Sequence, residues 1–403
     1  MAQNGLDGFF EKFLTKEPLF KNKQVLQSNY LPEEVLYREN QIKQIANILA
    51  PSLRGEKPSN LFLYGKTGTG KTLSIKYTAN HIEKVAKQRE LSIKICYLNC
   101  KLKKIADTEY RLIAQIVREF GKEIPPTGLP TEEVYNIFCS TLEKEKLILI
   151  LILDEIDELA KRPTDEILYN LTRINTSFKH SQLSIIGLSN NLVFADNLDP
   201  RVKSSLSEEE VIFPPYNALQ LQQILKQRAE KAFHSGKLEE GLIEKCSAYA
   251  AREHGDARRA IELLRVAAEI AEREDFAKVK ISHLDEAEDK IEKDKILDLI
   301  STQPRQFQLI LYVIIQIYEK RKDTVFTGEV YERYKGICMQ TAMRPLTQRR
   351  VSDVIGEFDM LGLINAKVIS KGRYGRTREI TLSLSIPSIP KIKKILAEEL
   401  DLT

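Results

Sequence analysis

The stretch NLFLYGKTGTGKTLS, Asn60–Ser74, decides how the rest of this sequence is read. Asn60–Tyr64 is a short apolar run, and Gly65–Thr72 matches G-x-x-x-x-G-K-[ST] in full. A helical pattern follows. Strand, glycine-rich turn and helix start are the context that gives the motif a physical meaning. The glycines let backbone N–H groups turn inward around phosphate oxygens, and the helix N-terminus adds partial positive charge. Lys71 is placed to reach β- and γ-phosphates, and the Thr72 hydroxyl to ligate Mg²⁺. The expected nucleotide-binding residues are therefore Gly65, Lys66, Thr67, Gly68, Thr69, Gly70, Lys71, Thr72 and Leu73.

Working outward, further apolar runs alternate with helical patterns. They are IKICYL (Ile93–Leu98), LILILIL (Leu147–Leu153), LSIIGL (Leu183–Leu188) and EEVIF (Glu209–Phe213). Runs without polar alternation predict strands buried on both faces, as in a parallel sheet covered by helices. The reading is an α/β domain over residues 1–213, punctuated by FPPY, Phe213–Tyr216. LDEID puts Asp154 and Glu155 at the C-terminal end of a buried strand, where ligands sit in open α/β sheets. Asp154 would hold Mg²⁺ through water, and Glu155 would polarise the attacking water. Asn190, closing GLSN, would orient water beside the γ-phosphate. Arg258, in HGDARRAIELL, would fold back to the phosphates from the start of a helix. Arg201, in LDPRVKSSL, is a candidate finger for a neighbouring subunit's nucleotide.

Residues 214–295 carry helical periods and no strand signal, with Asp256 and Ser282 as candidate N-caps. Residues 296–403 read differently. QFQLILYVIIQIYEK, TGEVYERYKGICMQ and TQRRVSDVIGEFDMLGLI predict helices, the last with Val351, Ile355, Phe358 and Leu361 on one face. NAKVIS and REITLSL then predict two strands around KGRYGRT. Helices followed by a hairpin with a basic tip make the winged-helix pattern, a helix-turn-helix variant. Charge agrees: residues 301–403 hold 17 Lys and Arg against 11 Asp and Glu, whereas residues 1–300 hold 44 against 46. The excess cation in the last quarter suggests a polyanionic partner there.

Composition excludes other classes. The chain has 403 residues, 42% hydrophobic and 29% charged, with a net charge of +4. Its five cysteines include no CxxC pair and its histidines are scattered, against a zinc site or a disulfide framework. MAQNGLDGFFEKF lacks the apolar run of a signal peptide, and LILILIL is too short to span a bilayer. The expected location is the cytoplasm, in association with the nucleoid, with no membrane partner.

The chain resembles archaeal replication initiators of the origin-recognition-complex subunit one / cell-division-control protein six family, within the AAA+ ATPases. The resemblance is carried by YRENQI (Tyr37–Ile42), GKTGTGKT, LDEID, GLSN, DPRVKSSL with FPPY, GDARRAIELLR and the terminal winged helix. It implies an AAA+ P-loop domain over 1–213, a helical lid over 214–295 and a winged helix over 296–403. It implies Walker A roles for Lys71 and Thr72 and Walker B roles for Asp154 and Glu155. Asn190 and Arg258 take the two sensor roles, and Tyr37, Arg38 and Tyr216 lie at the nucleotide. GKEIPPTGLPTEEV (Gly121–Val134) matches the insertion with which such initiators touch DNA, here through Pro126, Thr127 and Gly128. Thr347, Gln348, Arg349 and Arg350 would enter a major groove. Lys371, Gly372, Arg373, Tyr374, Gly375, Arg376 and Arg378 would form the wing on phosphates or a narrow minor groove. The implied cofactors are ATP or ADP with Mg²⁺. The implied partners are double-stranded origin DNA, the replicative helicase and paralogous initiators. An ATP-dependent winged-helix transcription regulator and an oligomeric motor of clamp-loader type are the rival readings of the same motifs.

Overall fold

The computed structural model describes residues 17–27, 30–101, 108–125, 128–160, 166–192, 194, 198–206, 209–253, 255–321, 324–341, 343–370, 376–383 and 389–402. The chain divides into two compact units at Leu284/Asp285.

The first unit is built on a parallel sheet of β1 (Leu61–Tyr64), β2 (Ile93–Asn99), β3 (Ile148–Asp154), β4 (Gln182–Ser189) and β5 (Glu209–Ile212), in the order β2-β3-β4-β1-β5. Each is one of the apolar runs. Helices α1 (Glu39–Leu49), α2 (Lys71–Gln88), α3 (Glu109–Arg118), α4 (Thr131–Glu145), α5 (Glu166–Arg173) and α6 (Pro200–Leu206) accompany it. Side chains alternate between the two faces of a strand, so each apolar run feeds two cores. Phe62, Leu149, Leu151, Leu153 and Leu183 pack with Leu112, Phe138 and Leu171. Leu61, Leu63, Ile150, Ile152 and Ile186 pack with Ile45, Ile75 and Ile82 on the other face. Gly187 is glycine for contact reasons: a Cβ there would lie 2.4 Å from Phe62 Cε1.

Burial on both faces holds for the central strands alone. Every residue of β3 is buried, but β2 is mostly half-buried and in β5 only Val211 is buried. These two are the sheet edges, where covering elements are incomplete, and Ile212 is 62% exposed.

This unit also holds α7 (Ala218–Ala232), α8 (Leu242–Arg252) and α9 (Ala257–Arg273). A capping box between Asn217 and Gln220 starts α7. The Asp256 carboxylate accepts from the Arg258 and Arg259 N–H groups and starts α9, as anticipated. Ser282 is not a cap. Helix α10 (Ile281–Ser301) already includes it, and the start is satisfied from elsewhere. The Ile281 N–H donates to the Glu239 carboxylate and the Lys280 N–H to His283 Nδ1.

In the second unit, α11 (Arg305–Arg321) is buried along Phe307–Ile315, as a helix enclosed on all sides must be. Around it lie α12 (Thr327–Gln340), α13 (Gln348–Met360) and α14 (Ile389–Glu399). Strands β7 (Ile364–Ser370) and β8 (Arg376–Leu382) form the antiparallel hairpin, and β6 (Val325–Phe326) pairs with the far side of β8. The core face of α13 is Val351, Val354, Ile355 and Phe358. Leu361 does not join it: it is the C-cap of the helix and 41% exposed.

Candidate functional site

The register of the sheet gathers the motif ends. Tyr64 pairs with Ser189, Asp154 with Leu188, and Asn99 with Asp154. The glycine-rich turn, LDEID and GLSN therefore emerge side by side at the C-terminal edge. There Thr67–Leu73, Lys76, Asp154, Glu155, Asn190, Tyr216 and Arg258 line one cleft of about 870 Å³.

Its floor is shaped by close backbone approach. Gly68 and Gly70 have φ of +71° and +91°, a region that strains other residues. A Cβ on Gly68 would sit 1.6 Å from Asp256 Oδ1, and one on Gly70 would sit 2.7 Å from the Tyr216 hydroxyl. The Gly68 carbonyl accepts from the Ala257 N–H at 3.2 Å, so the turn and the start of α9 are in contact. Here the peptide groups of a left-handed turn meet a helix N-terminus and a buried ammonium, a donor set that fits a polyphosphate.

That ammonium is Lys71, 6% exposed. It donates to the Gly65 carbonyl at 2.5 Å, the Lys66 carbonyl at 2.9 Å and Asn190 Oδ1 at 2.9 Å. Burial pulls its pKa down to about 8; Asp154 opposes this and Arg258 adds to it. Thr72 Oγ1 donates to Asp154 Oδ2 at 2.9 Å, and the Glu155 N–H to Asp154 Oδ1 at 3.0 Å. A hydroxyl beside a buried carboxylate is a hard-oxygen pair of the kind Mg²⁺ takes. Glu155 has φ of +56°, strained for a residue with a side chain, and its carboxylate lies 3.6 Å from Lys101 Nζ. The Tyr97 hydroxyl donates to Asp154 Oδ2 at 2.6 Å. Burial, then that bond, pushes the phenol well above its ordinary range.

Other expected residues are placed differently. Tyr37 and Arg38 do not line the cleft, whereas Glu34, Val35 and Leu36 just before them do. Arg38 is 2% exposed. Its guanidinium donates to the carbonyls of Thr69 (2.8 Å), Tyr37 (2.9 Å) and Pro214 (2.6 Å) and stacks 3.8 Å from the Tyr216 ring centre. It clamps the glycine-rich turn to the FPPY segment. Leu26, Tyr30 and Leu31 line the cleft as well, and Ile224 and Ile261 do so from α7 and α9. Sequence reasoning missed these, because no motif marks an apolar wall. Arg201 is outside the cleft: it makes a two-pronged contact with Asp199, at 3.1 and 3.0 Å, with its side chain 77% exposed. Arg259, the neighbour of Arg258, is buried and paired with Glu253 at 3.1 Å.

In the insertion, Pro126 and Thr127 lie outside the described residues. Gly128 has φ of +112°, and Lys122, the cation of that stretch, donates to Thr141 Oγ1 at 2.8 Å. In the second unit, Thr347, Gln348, Arg349 and Arg350 are exposed in the first turn of α13. Thr347 caps the helix, its hydroxyl accepting from the Arg350 N–H. The Arg350 guanidinium is turned back to Glu357, at 3.4 Å, while Arg349 has no partner among the described residues. Lys371, Gly372, Arg373, Tyr374 and Gly375 lie outside the described residues. Arg376 opens β8, and Arg378 is half-buried, its guanidinium 2.8 Å from where a Cβ on Gly356 of α13 would be. No described helix is long and apolar enough to cross a membrane.

Comparisons agree with this architecture. Family models match an AAA domain at residues 54–192, a Cdc6 AAA+ ATPase-type lid domain at 222–289 and the C-terminal winged helix domain of CDC6 at 298–391. An ORC1-type DNA replication protein of Thermococcus onnurineus is 51% identical over 96% of this chain and 93% of its own length. An ORC1-type DNA replication protein 1 of Methanosarcina mazei is 48% identical over 98% of this chain and 94% of its own. The solved structure of the Aeropyrum pernix ORC1 protein in complex with DNA superposes with a TM-score of 0.83 at 42% identity, covering 95% of this chain and 98% of that one. With its parallel AAA sheet, its lid and its terminal winged helix, the chain belongs to the ORC1/Cdc6-type family of AAA+ replication initiators.

Proposed function

We propose that this chain binds double-stranded origin DNA, uses ATP binding and slow hydrolysis as a switch, and helps recruit the replicative helicase, alongside paralogous initiators where they exist. The observation that carries the reading is the convergence of Lys71, Thr72, Asp154, Glu155, Asn190 and Arg258 on one cleft, in a chain 42% identical to an initiator solved with DNA. Lys71 and the backbone of Thr67–Gly70 would hold the phosphates. Thr72 and Asp154 would hold Mg²⁺, which when bound supplies charge neutralisation at the β- and γ-phosphates. Glu155 and Asn190 would orient the attacking water. Arg258 lines the cleft from the start of α9, so its approach to the phosphates would couple nucleotide state to the lid. Three working regions are proposed, 1–213, 214–295 and 296–403. Arg201, exposed and away from its own cleft, would serve a neighbouring subunit's nucleotide.

On DNA, Arg349 is the side chain free to read a base edge or a phosphate, supported by the wing residues Lys371, Arg373 and Arg376. Four or five phosphate contacts would give a salt slope of about −4. The test is footprinting of the full chain on genomic DNA with ATP and with ADP, beside Arg349→Ala and Arg373→Ala/Arg376→Ala variants. Protection of a few repeated sites at origins, weakened by about 1–3 kcal/mol in the Arg349 variant, is the expected outcome. Protection scattered over promoters, indifferent to nucleotide, would overturn it.

A further inference from the structure

The carboxylate of Asp154 is held by more than the two motifs that contain it and Thr72. In the parallel register of β2 and β3, Asn99 stands opposite Asp154 and Tyr97 opposite Ile152. Residues two apart share a face, so Tyr97 and Asp154 are on the same side of the sheet. The long tyrosine side chain reaches forward by one pair, and its hydroxyl donates to Asp154 Oδ2 at 2.6 Å. The same oxygen accepts from Thr72 Oγ1 at 2.9 Å, and Oδ1 accepts from the Glu155 N–H at 3.0 Å. Three donors from three segments thus fix both the tilt and the plane of one buried carboxylate. The ring itself is placed by Lys76, one helical turn beyond Thr72, whose ammonium lies 3.9 Å from the ring centre. Packing alone would be served by phenylalanine. The hydroxyl adds a short bond to the carboxylate next to the phosphate cleft.

We infer that Tyr97 is a positioning residue for the divalent-cation site, its hydroxyl holding the Asp154 carboxylate in register with the Thr72 hydroxyl so that the two oxygens present themselves together. The inference rests on the proposed Mg²⁺–nucleotide reading of the cleft. It makes no use of catalysis and is read in binding.

The experiment titrates Mg²⁺ into the full chain with a fluorescent ADP analogue, for wild type and Tyr97→Phe, and repeats the binding in EDTA. In EDTA the two proteins should bind the analogue within twofold of each other. With Mg²⁺, the midpoint of the metal-dependent gain in affinity should rise about tenfold in the variant, the effect of losing a hydrogen bond to a charged group. Incorporation of 3-fluorotyrosine at position 97, a stronger donor of nearly the same size, should move the midpoint the other way. That also decides the matter if Tyr97→Phe folds poorly. Equal midpoints in all three proteins, or an equal loss with and without Mg²⁺, would overturn the inference. Wild type whose affinity ignores Mg²⁺ would instead sink the reading of the site on which it depends.

Discussion

Replacing Arg38 with lysine isolates the clamp between the glycine-rich turn and the FPPY segment. Charge is kept and the fork is lost. The guanidinium serves the carbonyls of Thr69, Tyr37 and Pro214 at once, at 2.6–2.9 Å, in a setting 2% exposed. Thr69 is 31 residues away in sequence and Pro214 is 176 away, so neither carbonyl can follow a shorter donor without moving its segment. An ammonium is a compact donor and can meet one of them well. Two carbonyls would then lose their partner, at about 1–3 kcal/mol each, and the stacking on Tyr216 at 3.8 Å would weaken by about 1 kcal/mol. Water entering the gap returns part of this, so the expected loss is about 3–5 kcal/mol. For a unit of this size that lowers its melting transition by on the order of 10 °C. Differential scanning calorimetry of Arg38→Lys beside wild type reads the shift. ADP binding, followed in parallel, should weaken, because Thr69 lies in the turn that cradles the phosphates. A melting temperature within about 2 °C of wild type with unchanged ADP affinity would refute the clamp.

Two more outcomes follow from the same cleft. The Lys71 ammonium titrates at about 8 in the folded protein against an ordinary 10.5, so between those values the unfolded chain holds more protons and the nucleotide-free protein gains stability as pH rises. A bound phosphate favours the charged lysine, so ADP affinity should fall as pH climbs past about 8, by up to about tenfold per unit. Isothermal titration from pH 6.5 to 9.5 checks this, and Lys71→Arg should flatten the profile of whatever binding remains. Gly68→Ala should weaken ADP binding more than about tenfold and lower the melting temperature. The new methyl collides with the Asp256 carboxylate, and displacing that cap from α9 costs about 0.5–2 kcal/mol. A variant that melts and binds as wild type would show that the turn and the helix start move independently.

Much of the fold was legible because its signals are local. β3 reads as a buried strand from seven consecutive apolar positions and an acidic end, and it is one. The Asp256 cap works because a carboxylate within two or three residues of a free N–H needs no distant partner. Where the partner is distant, the reading failed. Ser282 looks like a cap, but Glu239, far upstream in the chain, already takes the first N–H of α10. Leu361 continues the helical period of α13, yet the helix ends at Met360 and the side chain turns outward. β2 and the Val211–Ile212 end of β5 are largely apolar but not enclosed, because edge or centre is a property of strand order.

The contrast is sharpest at the cleft. Gly65–Thr72 announces phosphate binding unaided, since the turn, the lysine and the hydroxyl are contiguous and their chemistry is completed within eight residues. LDEID, GLSN and GDARR likewise announce acid, amide and arginine, one segment at a time. Only tertiary structure decided that they share a cleft, that Tyr97 holds Asp154, that Arg38 bonds three carbonyls, and that Arg201 stands apart. Those contacts join segments tens to hundreds of residues distant, and a single hydrogen bond between them leaves no period, spacing or composition in the chain to be read.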